Sequence, residues 1–390
     1  MSSGNGQAQD MRKSATLRIN LQRLVCCVVL GFAVQTAPAA EAAECEQPAK
    51  VCDARSAVFR ISAFDPLGSA VRIGAKSLIT SRHIVADRKT VDLFLPDGTK
   101  ISAQVQPSGY AGDAILLTAE GLPDGPHLTT ATVQQGASVF TIGADISKRR
   151  IRAYAPGKVQ LLPAEGKPLS RIHHSAYTQQ GNSGGALVNG EGQLVGIVAS
   201  GGEGRFEAVP AAALAVLQTD ATAEAAQRGA EIGTAIKVCT LNLERLHGQR
   251  GLLSDEVAKA LATSCRRTGN RQYYDLAGQT LSQRRRVDAA LSLFEASVAQ
   301  DPNAVNSRLN LVITYHIARQ YERELPHLQW LMEHAGDNLQ VLRFAIQVGV
   351  WTGNKDLAER ALAKLKQVNP NAAPAAERFL KSPPPRPAPL

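Results

Sequence analysis

The chain has 390 residues, 44% hydrophobic and 20% charged, which suits two or three globular domains and excludes a wholly disordered chain. Apolar runs of membrane-spanning length do not recur, which excludes a multi-span membrane protein. Aromatics stand at 5% with 2 Trp, so a base-stacking platform is not expected, and the net charge of +9 reads as a solvated basic surface with no nucleic acid as partner.

The N-terminus reads as an address. Arg12 and Lys13 follow Met11, an apolar stretch covers 24–34, and small residues run through Ala43. This order describes a secretory signal peptide with an N-terminal extension over 1–42, cleaved after Ala39, Ala40 or Ala42. It predicts a periplasmic or secreted protein with no stable membrane span once the signal is removed. Cys26 and Cys27 would leave with the signal, and Cys45, Cys52, Cys239 and Cys265 would remain. An even number in an oxidising compartment predicts two disulfides. Four cysteines allow three connectivities, and local pairing within each half is preferred because the pairs lie in separate regions.

Residues 50–215 read as strands and turns, within a domain expected over 43–218. Val91, Leu93 and Leu95 run into Pro96-Asp97-Gly98, a turn signal, after which Ile101, Ala103 and Val105 alternate with polar residues. Short apolar runs recur at 114–118, 138–142, 158–162, 185–188 and 194–199, with Gly and Pro in nearly every gap. So many short strands predict a barrel or sandwich. After Pro210 the sequence turns Ala-, Leu- and Glu-rich. A helical linker is expected over 219–270, with Ser254 capping one helix ahead of Asp255 and Glu256. Residues 271–381 are expected as helical repeats and 382–390 as a Pro-rich solvated tail.

The repeats show a period of 34. Asp301-Pro302-Asn303 and Asn369-Pro370-Asn371 lie two periods apart. Units beginning at 271, 305 and 339 align Ala290, Glu324 and Ala358, and also Phe294, Leu328 and Leu362. Small residues at one offset and large apolar ones at another suit paired helices. The pattern resembles the tetratricopeptide repeat (TPR), which implies an all-α array with a protein partner on its concave face.

Three segments of the β-rich half carry chemistry: Leu78-Ile-Thr-Ser-Arg-His83, Gly112-Asp113 and Gly181-Asn182-Ser183-Gly184-Gly185. A serine hydroxyl needs a base, the base needs a carboxylate to fix its tautomer, and the oxyanion needs preorganised N–H donors. These segments, in this order, resemble the trypsin/chymotrypsin-like serine proteases, in particular the HtrA/Deg-like branch. Gly143, Gly157-Lys-Val159 and Leu194-Val-Gly-Ile-Val198 add to the likeness, which covers about 55–215.

The resemblance implies an all-β double β-barrel of chymotrypsin type ahead of the all-α repeats, a multi-domain architecture. It implies a serine endopeptidase acting on protein or peptide substrates without a cofactor. His83 would be the general base, Asp113 its orienter and Ser183 the nucleophile, with the Gly181 and Ser183 amides as oxyanion hole. Val198, Ala199 and Ser200 would form the strand that pairs with substrate. Asn182 stands where many secreted animal enzymes have Asp, so activation by a freed N-terminal ammonium is not expected. Tyr177, six residues before Ser183, stands where an acid would select Lys or Arg, which implies a small or apolar residue at the cleaved bond.

Other candidates carry less. His173 and His174 are adjacent on a strand and face opposite ways, so no shared metal is expected. Lys148, Arg149, Arg150 and Arg152 read as a solvated loop near the site, and Arg284, Arg285 and Arg286 as a solvated turn. The alternative to an enzyme is a protein-binding or chaperone-like scaffold in which the protease fold is latent and the repeats dominate.

Overall fold

The computed structural model describes residues 45–388 apart from 203, 220 and 221. The signal-peptide reading of 1–42 therefore lies outside the described residues.

Among the described residues, thirteen strands precede the long helices. β1 (Val58–Ser62), β2 (Gly68–Arg72), β3 (Ser77–Thr80), β4 (Thr90–Phe94), β5 (Lys100–Val105) and β6 (Ile115–Thr118) close into a barrel in the order β1-β2-β3-β6-β5-β4. Period-two alternation aims Phe59, Ile61, Leu93, Ala103 and Leu117 inward to form its core. The second set is β7 (Ser138–Asp145), β8 (Arg150–Ala153), β9 (Gly157–Leu161), β10 (Ile172–His174), β11 (Ala186–Val188), β12 (Leu194–Gly202) and β13 (Arg205–Pro210). Pairing of β11 with β7 closes six of them into a second ring, and β8 hangs on β7 as a hairpin. Val71, Ile79, Phe140, Ile142 and Val188 share one core between the barrels.

Two short helices punctuate the barrels: α1 (Ala49–Ala54) before the first strand and α2 (Arg82–Val85) after β3. Helices then take over. α3 (Ala213–Thr219) is followed by α4 (Ala223–Leu246) and α5 (Asp255–Arg266). Ser254 caps α5 by accepting from the Val257 N–H. The segment expected as a linker is a buttress. A Cβ on Gly233 of α4 would lie 2.3 Å from the Ala86 carbonyl, so that helix packs directly on the loop behind α2. Disulfides join Cys45 to Cys52 and Cys239 to Cys265, the second tying α4 to α5.

Three helical hairpins follow at a constant step of 34 residues. They are α6 (Arg271–Gln283) with α7 (Val287–Gln300), α8 (Val305–Ile317) with α9 (Tyr321–His334), and α10 (Leu339–Trp351) with α11 (Lys355–Val368). The turns keep the same phase: Arg285, Arg319 and Gly353 all have positive φ. The buried Ala290, Glu324 and Ala358 occupy one equivalent position. Glu324 meets His316 at 3.1 Å, and burial raises its carboxyl above the usual range. α12 (Ala373–Lys381) ends the array.

Two surface features have partners that the sequence did not show. Arg284 and Arg286 are not merely solvated; Arg284 donates to the Gln249 carbonyl at 2.7 Å and Arg286 to the Leu253 carbonyl at 2.7 Å, clipping the loop between α4 and α5. The tail lies on the array, where Arg386 pairs with Glu322 at 2.7 Å and stacks over the Tyr321 ring.

Barrels and helices form one compact unit, Cys45–Leu390. Their joint is charged and buried. Asp301, at the end of α7, accepts from Ser170 Oγ at 2.6 Å, from the Arg171 N–H at 3.1 Å and from His173 Nε2 at 3.0 Å. Arg271 of α6 pairs with Glu207 of β13 and lies 3.6 Å from Asp301. Arg171 reaches Glu207 at 3.2 Å and Asn270 at 3.0 Å.

Burial would push the Glu207 and Asp301 carboxyls up. For Glu207, Arg271, His173 and Arg171 outweigh burial and bring it down to about 2. For Asp301, the His173 hydrogen bond and Arg271 hold it far below the usual range. A depressed folded-state value means the unfolded chain binds more protons. This stabilisation is therefore complete above about pH 5 and is lost as the pH falls through the folded-state values. Asp301→Ala should cost about 3–5 kcal/mol, because it leaves Arg271 without part of its compensation. Urea titrations should show the wild type losing stability between pH 5 and pH 2 more steeply than Asp301→Asn.

Candidate active site

His83 lies on α2, at the end of β3, and Asp113 just before β6. The two are clamped twice. Asp113 Oδ2 is 2.7 Å from His83 Nδ1, and its Oδ1 accepts the His83 backbone N–H at 3.0 Å. Burial would raise the Asp113 carboxyl, but the His83 ring and Arg171 outweigh it and hold the carboxyl below its ordinary value. A carboxylate on Nδ1 makes that nitrogen the donor and leaves Nε2 as the proton acceptor.

Ser183 comes from the second barrel, in the turn before β11. The glycines on either side of the serine explain the local sequence. Gly181 has φ +92°, open to a residue without a side chain. A Cβ on Gly184 would meet the Ser69 carbonyl and Thr80 Oγ1 at 2.2 Å. The first barrel therefore closes directly over the serine turn, and Ser69 N–H donates to the Ser183 carbonyl at 2.8 Å.

The same contact pins the peptide between Gly181 and Asn182. Ser69 Oγ donates to the Gly181 carbonyl at 2.7 Å and accepts the Ala144 N–H at 2.9 Å. Among the described residues, neither the Gly181 nor the Ser183 N–H has a backbone acceptor. Asn182 is wholly buried and held by neutral partners: its Nδ2 donates to the Ala144 carbonyl at 3.1 Å, and its Oδ1 accepts from Gln179 N–H at 2.8 Å. The Ser183 hydroxyl donates to the Ala199 carbonyl at 3.3 Å.

A cavity of about 790 Å³ opens beside Ser183. Tyr177, Val198, Ala199 and Ser200 line it. Tyr177 is half exposed, with its ring 5.7 Å from that of Tyr154. Val198 and Ala199 are buried, and Val198 pairs with Ala208 of β13. Ser200 Oγ receives Arg171 Nη1 at 2.7 Å and donates to Glu207 at 3.1 Å. The four cysteines lie away from this cavity, in their two disulfides.

Two groups of residues at the site have no motif in the sequence. The far wall of the cavity is helical: Gln272, Asp275 and Gln279 of α6 with Asn306 and Asn310 of α8. The spacing 272, 275, 276, 279 is one helix face, the only signal that could have grouped these α6 residues. Arg171 is the other. Its Nη2 lies 3.9 Å from Asp113 Oδ2, so the charged joint with the helices extends to the carboxylate behind His83.

His173 and His174 diverge. His173 enters that joint, while His174 is buried near Phe206 with both ring nitrogens unpartnered, and burial lowers it to about 3. Among the described residues no cluster of three or more His, Cys, Asp or Glu is disposed to hold a metal.

Two closed β-barrels with a serine, a histidine and an aspartate at their junction define the chymotrypsin-like fold class, here followed by an all-helical region. The family model described as a trypsin-like peptidase domain matches residues 68–197. Among curated relatives, the mitochondrial serine protease HTRA2 of Bos taurus is 33% identical over 141 residues, 33% of this chain and 30% of that protein. The periplasmic serine endoprotease DegP of Salmonella typhimurium is 32% identical over 146 residues, 34% of this chain and 30% of that protein. The solved inactive form of the Rv3671c protease aligns with 46% of this chain and 100% of its own at 21% identity and a TM-score of 0.39. The chain spans about a third of the length of the curated relatives it matches.

Ser69 carries no reacting atom but pins the Gly181–Asn182 peptide, which lies between the peptides carrying the Gly181 and Ser183 N–H groups. Ser69→Ala should lower kcat on a peptide substrate by about 10–100-fold, somewhat less than outright loss of an oxyanion donor. A thermal melt should show a smaller change, the cost of about one to two buried hydrogen bonds.

Proposed function

We propose that this chain is an exported serine endopeptidase whose helical hairpins act as a TPR-like module that recruits protein. Ser183 is the nucleophile, His83 the general base and Asp113 its orienter. The observation that carries the reading is the double clamp of Asp113 on His83 beside a serine turn whose Gly181 and Ser183 N–H groups have no backbone acceptor.

The chemistry follows from that arrangement. A turn about the Ser183 Cα–Cβ bond moves the hydroxyl from the Ala199 carbonyl toward His83. Nε2 takes its proton as Oγ attacks the substrate carbonyl. The oxyanion is met by the two N–H groups. His83 then gives its proton to the leaving amine as the C–N bond breaks, and an acyl-serine remains. Water, deprotonated by the same nitrogen, releases the acid and restores Ser183.

Substrate would lie along Ala199–Ser200, where β12 continues past its pairing with β11 and keeps only β13 on its other side. Export is supported by the order of basic, apolar and small residues near the N-terminus and by two disulfides. No helix among the described residues is long and apolar enough to cross a membrane. The constant 34-residue step of the hairpins supports the recruiting role.

The test is labelling of the full mature chain by a fluorescent fluorophosphonate. The wild type should label and Ser183→Ala should not. His83→Ala should label at least about a thousandfold more slowly. A correctly folded wild type that stays unlabelled would overturn the reading in favour of a scaffold.

A further inference from the structure

The cavity beside Ser183 is acidic in a basic protein. The chain has 43 Lys and Arg against 34 Asp and Glu. Yet no Lys, Arg or His lines this cavity among the described residues, while Glu207 and Asp275 do. Arg171 and Arg271, which neutralise Glu207, are not part of its wall.

Among the residues of its wall, the buried polar atoms without a partner are acceptors, while the unpartnered donors Asn270 Nδ2 and Arg271 Nε belong to residues outside it. One Asp275 oxygen accepts from Ser307 Oγ at 2.6 Å, and Arg271 lies 3.6 Å away. The other, Oδ1, is buried with no partner. Gln272 Oε1, one turn back on the same helix face, is also buried with no partner. Both are acceptors closed off from water behind the wall, and a ligand that shifts the wall to reach them must offer donors, as a cation does. Burial raises the Asp275 carboxyl to about 6 against the pull of Arg271, and it is still ionised at neutral pH. A volume of about 790 Å³ is far more than a methyl or isopropyl side chain fills. Leu276 and Phe206 supply apolar surface for an aliphatic stem.

We infer that this cavity binds the side chain of lysine or arginine next to the cleaved bond, and that Asp275 of α6 selects it. The link to cleavage rests on the endopeptidase reading; the binding of a cation does not. The carboxylate that Tyr177 does not provide from the barrel arrives from the helices. The small or apolar preference implied by Tyr177 gives way to a basic one.

Two measurements on the full chain test this. Calorimetry with benzamidine, an aromatic amidinium, against neutral benzyl alcohol should show the amidinium binding at least about tenfold tighter. Asp275→Asn should remove that margin. Gln279→Lys, an exposed substitution that adds a positive charge to the same wall, should remove it without touching the buried joint. Equal binding of the two probes, or Asp275→Asn and Gln279→Lys both behaving as wild type, overturns the inference.

Matched peptides with arginine or its neutral isostere citrulline at the cleaved bond give the second readout. The wild type should prefer arginine in kcat/KM by about tenfold or more, and both variants should lose the preference. Cleavage without that preference overturns the inference and leaves the endopeptidase standing. Amidinium binding without fluorophosphonate labelling keeps the cation site and overturns the endopeptidase.

Discussion

The structure turns on one buried knot of charge. Arg171 and Arg271 meet Glu207 and Asp301 in a space where none of the four side chains is more than 6% exposed. Each ion there has given up hydration worth several kcal/mol, and only mutual pairing with good hydrogen bonds offsets that loss. Two partners come from strands or their approaches and two from helices; each half pairs its own ions, but the hydrogen bonds that complete them cross the joint, from Arg271 to Glu207 and from Ser170, Arg171 and His173 to Asp301. That mutual need fixes the helices against the second barrel and sets α6 and α8 over the serine. A hydrophobic joint would have held the halves together; this one also specifies a single register between them.

The candidate site is consequently a three-part assembly. The first barrel brings His83 and Asp113, the second brings Ser183 and its N–H donors, and the hairpins bring a polar wall. Ser69 and Gly184 interlock the first two parts at the serine turn. Arg171 couples the third to the first, since it touches the carboxylate behind His83 while holding Asn270 ahead of α6. Neutral hydrogen bonds hold Asn182, so nothing in that turn waits on a charge to be created elsewhere.

Much of this was legible in the sequence, for reasons that differ by residue. β4 and β5 announce themselves by alternation ending at a Pro-Asp-Gly turn, because one face is core and the other solvent. β2 is buried along its whole length and β10 is largely histidine, so neither alternates. The serine segment reads clearly because its backbone geometry demands glycine at fixed offsets. The hairpins read clearly because packing repeats every 34 residues. Asp301 was visible only as the first residue of an Asp-Pro-Asn whose Pro-Asn recurs at 370–371; its role depends on a strand about 130 residues earlier. Gln272, Asp275 and Asn310 look like an ordinary wet helix face, and only tertiary packing turns that face into a wall. Arg171 is a lone basic residue until the fold surrounds it with carboxylates.

The phase of the hairpin turns has a consequence for how such a chain can grow. Asn303 and Arg205 show the first two hairpins engaged with the second barrel, through Leu162 and Asp337. The core of the third hairpin is shared with the second and with α12. The array is thus moored at one end and open at the other. Copies of the 34-residue unit inserted after residue 338 would lengthen the helical array and carry α12 and the tail outward, with no residue near Ser183 displaced. Reach and chemistry can therefore vary independently, one by duplication and the other by point substitution.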